Sequence, residues 1–280
     1  MCIAFIKVAK SLDERYKLIV LNNRDESLDR PTAKMQWNDN ILCGTDEQDP
    51  ARGTWLGIDK YGTVGILLSV TQPAHTKHLK APSRGSIIKE FLQSKDRDQF
   101  FVNLQNRAHQ FNGFQFVSVQ KSQDGLYQVE SLTNHLVEKV EPIQWSSESA
   151  TRVFSNSPPD IPLLKTIYGQ KIFDHAMQNS DNMTNEEIFS SLIKIATDRE
   201  STFPDRQLEK QTGFGDDYNK PLCSIFVRFP NGFRYGTRSH TIITVDQNDN
   251  VTVLERRLIP SDNIEESTWE DENFSFKLEA

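Results

Sequence analysis

Hairpin patterning constrains this chain more than any other feature. Runs of β-forming residues come in pairs joined by short polar connections: 2–8 with 16–21, 53–58 with 61–68, and 241–245 with 251–254. Connections that short allow antiparallel pairing and leave no room for the crossover a parallel pair needs. The last of them, Gln247-Asn248-Asp249-Asn250, has good hairpin-turn chemistry. Residues 114–119, 126–132, 136–140, 152–154 and 223–228 read as further strands, and Phe274, Phe276 and Leu278 alternate as an edge strand would. Between the strands lie helical patterns. Residues 84–93 place Ile87, Ile88, Phe91 and Leu92 on one face, and 98–109 repeat Phe101, Leu104 and Ala108 at spacings of three and four. Residues 163–177 also read as helix. Thr184 and Glu187 form a capping box that opens a helix carrying Ile188, Leu192 and Ile195. Pro158-Pro159 stops regular structure, and residues 198–221 read as a long polar loop. Strands, helices, strands, helices, strands: that order specifies an α+β fold with antiparallel sheets covered by helices.

The chain has 280 residues, 36% of them hydrophobic, enough for a sizeable core. No repeat, linker or composition shift divides it, so the expectation is one domain over residues 1–280. Six acids and no Lys or Arg fall in residues 262–272, within an acidic segment at about 261–272 that reads as a solvated surface. That segment accounts for most of the net charge of −7. The remaining near-neutral body disfavours nucleic-acid binding, which needs a basic surface. Three cysteines, Cys2, Cys43 and Cys223, are too few for a disulfide framework and fit reduced thiols in an intracellular compartment. No apolar run reaches the roughly 20 residues of a membrane span. Lys7 and Lys10 interrupt what would be the apolar core of a secretory signal, and the start is not Arg-rich as a mitochondrial presequence would be.

Cys2 stands directly after Met1. Removal of Met1 would leave a free α-amine and a thiol on one residue, which is the arrangement of an N-terminal nucleophile: the thiol attacks and the amine carries the proton. The plain alternative is a small hydrophobe on a buried strand. Arg24 and Asp25 lie in the polar cluster Asn22-Asn23-Arg24-Asp25-Glu26, where the second strand of the first hairpin ends. There Arg24 would favour the thiolate and Asp25 would orient the ammonium; the alternative is a surface ion pair of little worth. Asn156, after a short strand, offers an amide donor for an oxyanion, or a turn cap. Arg238, at the start of a strand, would clamp a carboxylate, or face water at a strand edge. His75 and His78 share a polar loop without Cys or carboxylate ligands nearby, so no structural metal site is expected. Neither a Cys-x-x-Cys-His attachment motif, a phosphate-binding glycine loop nor a Gly-x-Ser-x-Gly elbow is present.

Met1-Cys2-Ile3, Asn23-Arg24-Asp25-Glu26 and Gly53-Thr54-Trp55-Leu56-Gly57, followed by Arg84-Gly85, Phe111-Asn112-Gly113-Phe114, Ser155-Asn156 and Gly236-Thr237-Arg238, resemble the NRDE family, also called the transport and Golgi organization protein 2 family. The resemblance spans essentially the whole chain. It implies an N-terminal-nucleophile hydrolase-like fold, a four-layer αββα sandwich. Similarity to the Cys-type branch of those hydrolases implies a site made of Cys2, Arg24, Asp25, Asn156 and Arg238, with Arg24 and Asp25 closer in sequence than their counterparts there. The family's roles imply haem trafficking, Golgi organisation and secretion, or lipid and acyl-CoA metabolism, in the cytoplasm with mitochondrial or Golgi association. His240 departs from the small polar residue or Asn found in relatives, and a solvated strand histidine is expected there. The expectation is therefore a carrier with haem, or an acyl-lipid-like molecule, as cargo and no catalytic cofactor. The alternatives are a Cys amidohydrolase or thioesterase and a secretory-pathway scaffold.

Overall fold

The computed structural model describes every residue except 147, 231 and 280. In chain order the strands and helices are β1 Cys2–Val8, β2 Tyr16–Ser27, β3 Thr32–Asn38, β4 Ile41–Asp46, β5 Leu56–Asp59, β6 Val64–Ser69, α1 Ser86–Gln93, α2 Arg97–Arg107, β7 Phe114–Lys121, β8 Tyr127–Thr133, β9 Pro142–Gln144 and β10 Thr151–Phe154. There follow α3 Leu164–Met177, α4 Asn185–Ala196, α5 Arg206–Thr212, α6 Asp216–Leu222, β11 Tyr235–Asp246, β12 Asn250–Ile259 and β13 Thr268–Lys277. One sheet has the order β10-β1-β2-β11-β12-β13 and the other β3-β4-β5-β6-β7-β8-β9, and every pairing is antiparallel.

Three buried clusters show the layers. Ala4, Ile6, Leu18 and Val20 of the first sheet meet Ile58, Ile66, Val117 and Val119 of the second. The alternate residues Ile3, Phe5, Ile19 and Leu21 face Phe173, Ile188 and Leu192 of α3 and α4. On the far side, Phe91, Ile87 and Ile88 of α1 pack on Phe116 and Leu67. Period-2 side-chain alternation sends each strand's residues into two different layers. Each large apolar side chain so buried is worth roughly 1.5–3 kcal/mol. The result is helix, sheet, sheet, helix.

Several segments differ from the sequence reading. Strand β2 runs six residues past Leu21, because the polar cluster keeps pairing with β1 and β11: Cys2 lies opposite Arg24, and Thr237 opposite Asp25. Residues 136–140 form no strand; Leu136 takes a positive φ of 59° and the edge strand comes later, at β9. Residues 198–221 hold two short helices. Asp205 caps α5 through the amides of Gln207 and Leu208, and Gly213 ends it at φ 68°. Residues 223–228 are not a strand but cross under the start of β11, with Thr237 N–H donating to Val227 O at 2.8 Å and an isolated bridge between Arg228 and Gly236. The acidic segment is a surface, yet Glu270, Asp271 and Glu272 are part of β13, where Asp271 pairs with Arg256. The hairpin β3–β4 has no counterpart in the sequence reading.

Candidate functional site

A cleft of about 640 Å³ opens where β1, β2 and the end of β10 come together, beneath the loop that precedes α1. Cys2, Arg24, Asp25 and Asn156 all line it. Cys2 is half-buried and packs against the inter-sheet core. Its backbone N–H donates to Asn156 Oδ1 at 2.7 Å. Asn156 Nδ2 in turn donates to Ser69 O at 2.7 Å, which ties β1 to the second sheet. One amide N–H of Asn156 is thus committed to structure, and the side chain has a second. Burial pushes the Cys2 thiol up, against the pull of the N-terminal ammonium and Arg24.

Arg24 lies across the sheet from Cys2 with its guanidinium 4.0 Å above the Trp55 ring. Gly44 makes room for that ring, since a Cβ there would lie 2.5 Å from Trp55. Glu26, two residues on and so on the same face, stands 4.0 Å from Arg24. Asp25 belongs to the other face. Its Oδ1 accepts from Thr237 Oγ1 at 2.6 Å, and its Oδ2 has no hydrogen-bond partner among the described residues. Burial raises the Asp25 carboxyl, opposed by the N-terminal ammonium and by Lys165, a fully buried lysine that donates to Ser224 O at 3.3 Å. The Met1 ammonium reaches the backbone carbonyl of Asp25 at 2.9 Å, not its carboxylate, and also bonds the Tyr235 hydroxyl. Adjacency in sequence therefore puts Arg24 and Asp25 on opposite faces of the strand, Arg24 with Glu26 and Trp55 and Asp25 with Thr237, although both residues border the cleft.

Arg238 does not line this cleft. It sits at a β-bulge between Thr237 and Ser239, which turns its side chain to the outer end of β2. There it donates to Ser27 O at 2.9 Å and Arg30 O at 2.5 Å, bracing the turn that follows β2. His240 is not solvated: it is 1% exposed, stacked on Trp269 at 4.8 Å, with Nδ1 2.8 Å from Asn23 Oδ1.

Residues the sequence reading did not assign to the site complete the cleft. Arg84 reaches into it, donating to Gly113 O at 2.7 Å, and Lys77 stands at the rim. Among the described residues neither has a carboxylate within ion-pair distance, whereas Arg30 is paired with Asp46 at 2.7 Å. Burial lowers both the Arg84 guanidinium and the Lys77 ammonium. Arg84 is placed by a backbone contact: a Cβ on Gly53 would lie 2.5 Å from Gly85 Cα, and Thr54 N–H donates to Gly85 O at 3.1 Å. The glycines of the Gly53-Thr54 and Arg84-Gly85 motifs were the signal. They mark a close approach that only glycine permits.

A profile of the family described as Transport and Golgi organisation 2 matches residues 1–260. The chain is similar to the Transport and Golgi organization 2 homologs of Mus musculus and Homo sapiens, at 30% identity over 294 residues in each case, covering all of this chain and all of theirs. Among solved structures it is similar to the Caenorhabditis elegans N-acylethanolamine-hydrolyzing acid amidase ortholog, with a TM-score of 0.50 at 11% identity, over 86% of this chain and 92% of that one. That likeness establishes the fold, an N-terminal-nucleophile hydrolase-like α+β sandwich.

Proposed function

The chain belongs to the Transport and Golgi organisation 2 family, and from that premise we propose that the Cys2 cleft carries a small anionic, amphipathic metabolite inside the cell, with haem as the first cargo to test. The observation that carries this reading is the unpaired cation pair, Arg84 and Lys77, in a cleft that also holds Arg24 and the Trp55 ring. Cations without a carboxylate partner, here the partly buried Arg84 and the exposed Lys77, favour an anion; an aromatic wall favours a flat or apolar body. The cleft's volume is in the range of small-molecule sites. Haem meets this demand through its propionates and macrocycle, and an acyl-lipid-like molecule with a phosphate or carboxylate head meets it too. The family's name supports Golgi organisation as the cellular setting; secretion, a cytoplasmic location and mitochondrial association as the haem-supply end belong to the proposal. No helix among the described residues is long and apolar enough to cross a membrane. Ferric haem titrated into the wild-type chain, Arg84→Ala and Cys2→Ala tests the reading. Saturable binding that weakens about tenfold or more in Arg84→Ala, as loss of a charged hydrogen bond implies, and survives in Cys2→Ala supports it. Binding no tighter than to an unrelated acidic protein sinks it.

A second reading rests on Cys2 itself. Its backbone nitrogen is already held by Asn156, with Arg24 opposite and the Asp25 carboxylate behind. If Met1 is removed, that nitrogen becomes an amine beside the thiol. Sγ would then attack an amide or thioester carbon, the amine would pass the thiol proton to the leaving nitrogen or sulfur, and water would release the acid. An acyl adduct on Cys2 during turnover is the expected mark. Retained Met1, or unchanged turnover in Cys2→Ala, excludes it.

A further inference from the structure

A second cavity, about 370 Å³, lies between the edges of the two sheets, bounded by β10, the segment leading from β9 and the first turns of α3. Ser155 and Ser157 face it, while Asn156 between them faces the Cys2 cleft. The short segment after β10 is thus a wall shared by two distinct cavities.

The walls are mostly apolar. Trp145 and Phe154 meet edge to face at 5.5 Å, and Ile167 of α3 stands at the mouth. Apart from Lys171, exposed at the rim, the polar side chains in those walls are mostly committed, Arg152 to Ser146 O and Gln170 to Asp174. Trp145 Nε1 donates to Ser131 Oγ at 2.9 Å, and Ser155 Oγ pairs with Thr166 Oγ1 at 2.5 Å. Gln115 is different. It is 0% exposed, and among the described residues neither Oε1 nor Nε2 has a hydrogen-bond partner. Its position explains the anomaly only in part. Phe114 and Phe116 turn into the helical layer, so Gln115 joins Val117 and Val119 in the row facing the other sheet. A strand residue in that row is expected to be apolar. Opposite Gln115 on β8 is Thr133, whose Oγ1 is also without a partner. Buried amides are almost always paired, so an unpaired one that lines a cavity points to a partner arriving from the cavity.

We propose that this cavity is a ligand site that takes a small apolar molecule bearing a carboxamide, read by Gln115. The chemistry selects the group. The Gln115 side chain presents an acceptor beside donors, and another amide edge is its complement in both. A carboxylate brings acceptors only and would leave Oε1 unmet, even with Arg152 and Lys171 among the lining. A hydrocarbon leaves both atoms unmet. The wall of Trp145, Phe154 and Ile167 suits a flat hydrophobic body.

Benzamide is the probe, with benzoate and toluene as comparators, and the Trp145 indole N–H resonance is the readout. The wild-type chain should show a saturable shift with benzamide, and about tenfold or more weaker binding of either comparator, the cost of leaving the amide unmet. Gln115→Met should lose the preference for benzamide over toluene. Ile167→Trp, at an exposed position on the rim, should fill the mouth and abolish all three. Absence of a saturable shift in the wild type overturns the proposal, and so does benzamide binding to Gln115→Met as tightly as to wild type. If Gln115→Met fails to fold, undiminished benzamide binding in Ile167→Trp overturns it alone. Haem binding at the Cys2 cleft does not enter either result.

Discussion

Acidification from about pH 7.5 to about pH 4.5 should remove about 2.5 kcal/mol of stability through one side chain, His240. The ring is 1% exposed, stacked on Trp269 and 6.0 Å from Phe226. Asn23 fixes its tautomer. The Asn23 amide nitrogen donates to Ala196 O at 2.8 Å and Ile225 O at 3.2 Å, so Oδ1 faces the ring and Nδ1 is the donor. Nε2 then has no partner among the described residues and would carry any added proton into an apolar setting. Burial, aided by Arg256, lowers the His240 pKa to about 3 from 6.5. The sign follows. In the unfolded chain His240 takes up a proton below about pH 6.5, while the folded chain refuses it until about pH 3. The unfolded state therefore binds more protons across that window, and stability falls with pH at about 1.4 kcal/mol per unit. The loss at pH 4.5 barely changes while the folded value stays below that pH.

Other groups titrate in the same range, so the difference between two chains is the quantity to measure. His240→Asn keeps a donor for Asn23 Oδ1 and removes the titration. Asp271, which faces His240, is held below its ordinary range by its hydrogen bond to Arg256 and stays ionised in both chains. Arg199 and Arg228, over Phe226, are common to both chains. The raised carboxyls of Asp25, Asp59, Glu130 and Glu255 contribute equally to both and cancel. Urea unfolding at the two pH values, with unchanged m, should show the wild type losing about 2.5 kcal/mol more than His240→Asn. Parallel losses within about 0.5 kcal/mol would refute the burial argument, because no buried neutral imidazole could then be present.

Three further outcomes follow from the cleft. Asn156→Ala leaves Cys2 N–H and Ser69 O without their partner, and urea unfolding should show a loss of about 2–4 kcal/mol. Gly53→Ala forces its Cβ against Gly85 and should cost about 1–3 kcal/mol while weakening haem binding by displacing Arg84; an unchanged melting curve would contradict the close approach. Arg24→Lys removes the flat stacking partner of Trp55, so a change in Trp55 fluorescence is expected together with a loss near 1 kcal/mol, roughly the worth of a cation–π pair.

The legible parts of the fold are those written in local patterns. The helix face Ile87, Ile88, Phe91 and Leu92, the Thr184 capping box and the Gln247–Asn250 turn each sit within a dozen residues, and the structure has all of them. The β3–β4 hairpin is hard to read because β3 is an edge strand that buries only Met35, so no apolar alternation survives. Its one local mark is the turn after Asn38, where Asp39 takes a φ of 54°. The site is legible in residue type but not in direction. Read as a cluster at the end of a strand, Asn22 to Glu26 all face one place. Continued as strand, they divide: Arg24 and Glu26 meet Cys2 and the cleft, while Asn23 and Asp25 meet His240, Thr237 and the helical layer. What makes them strand is pairing with β11, more than two hundred residues away, and no window of the sequence contains that partner. The same distance hides the bulge that turns Arg238 outward. Within a strand, groups that act together stand two residues apart, so the neighbours Arg24 and Asp25 can serve Cys2 only from opposite sides of its sheet.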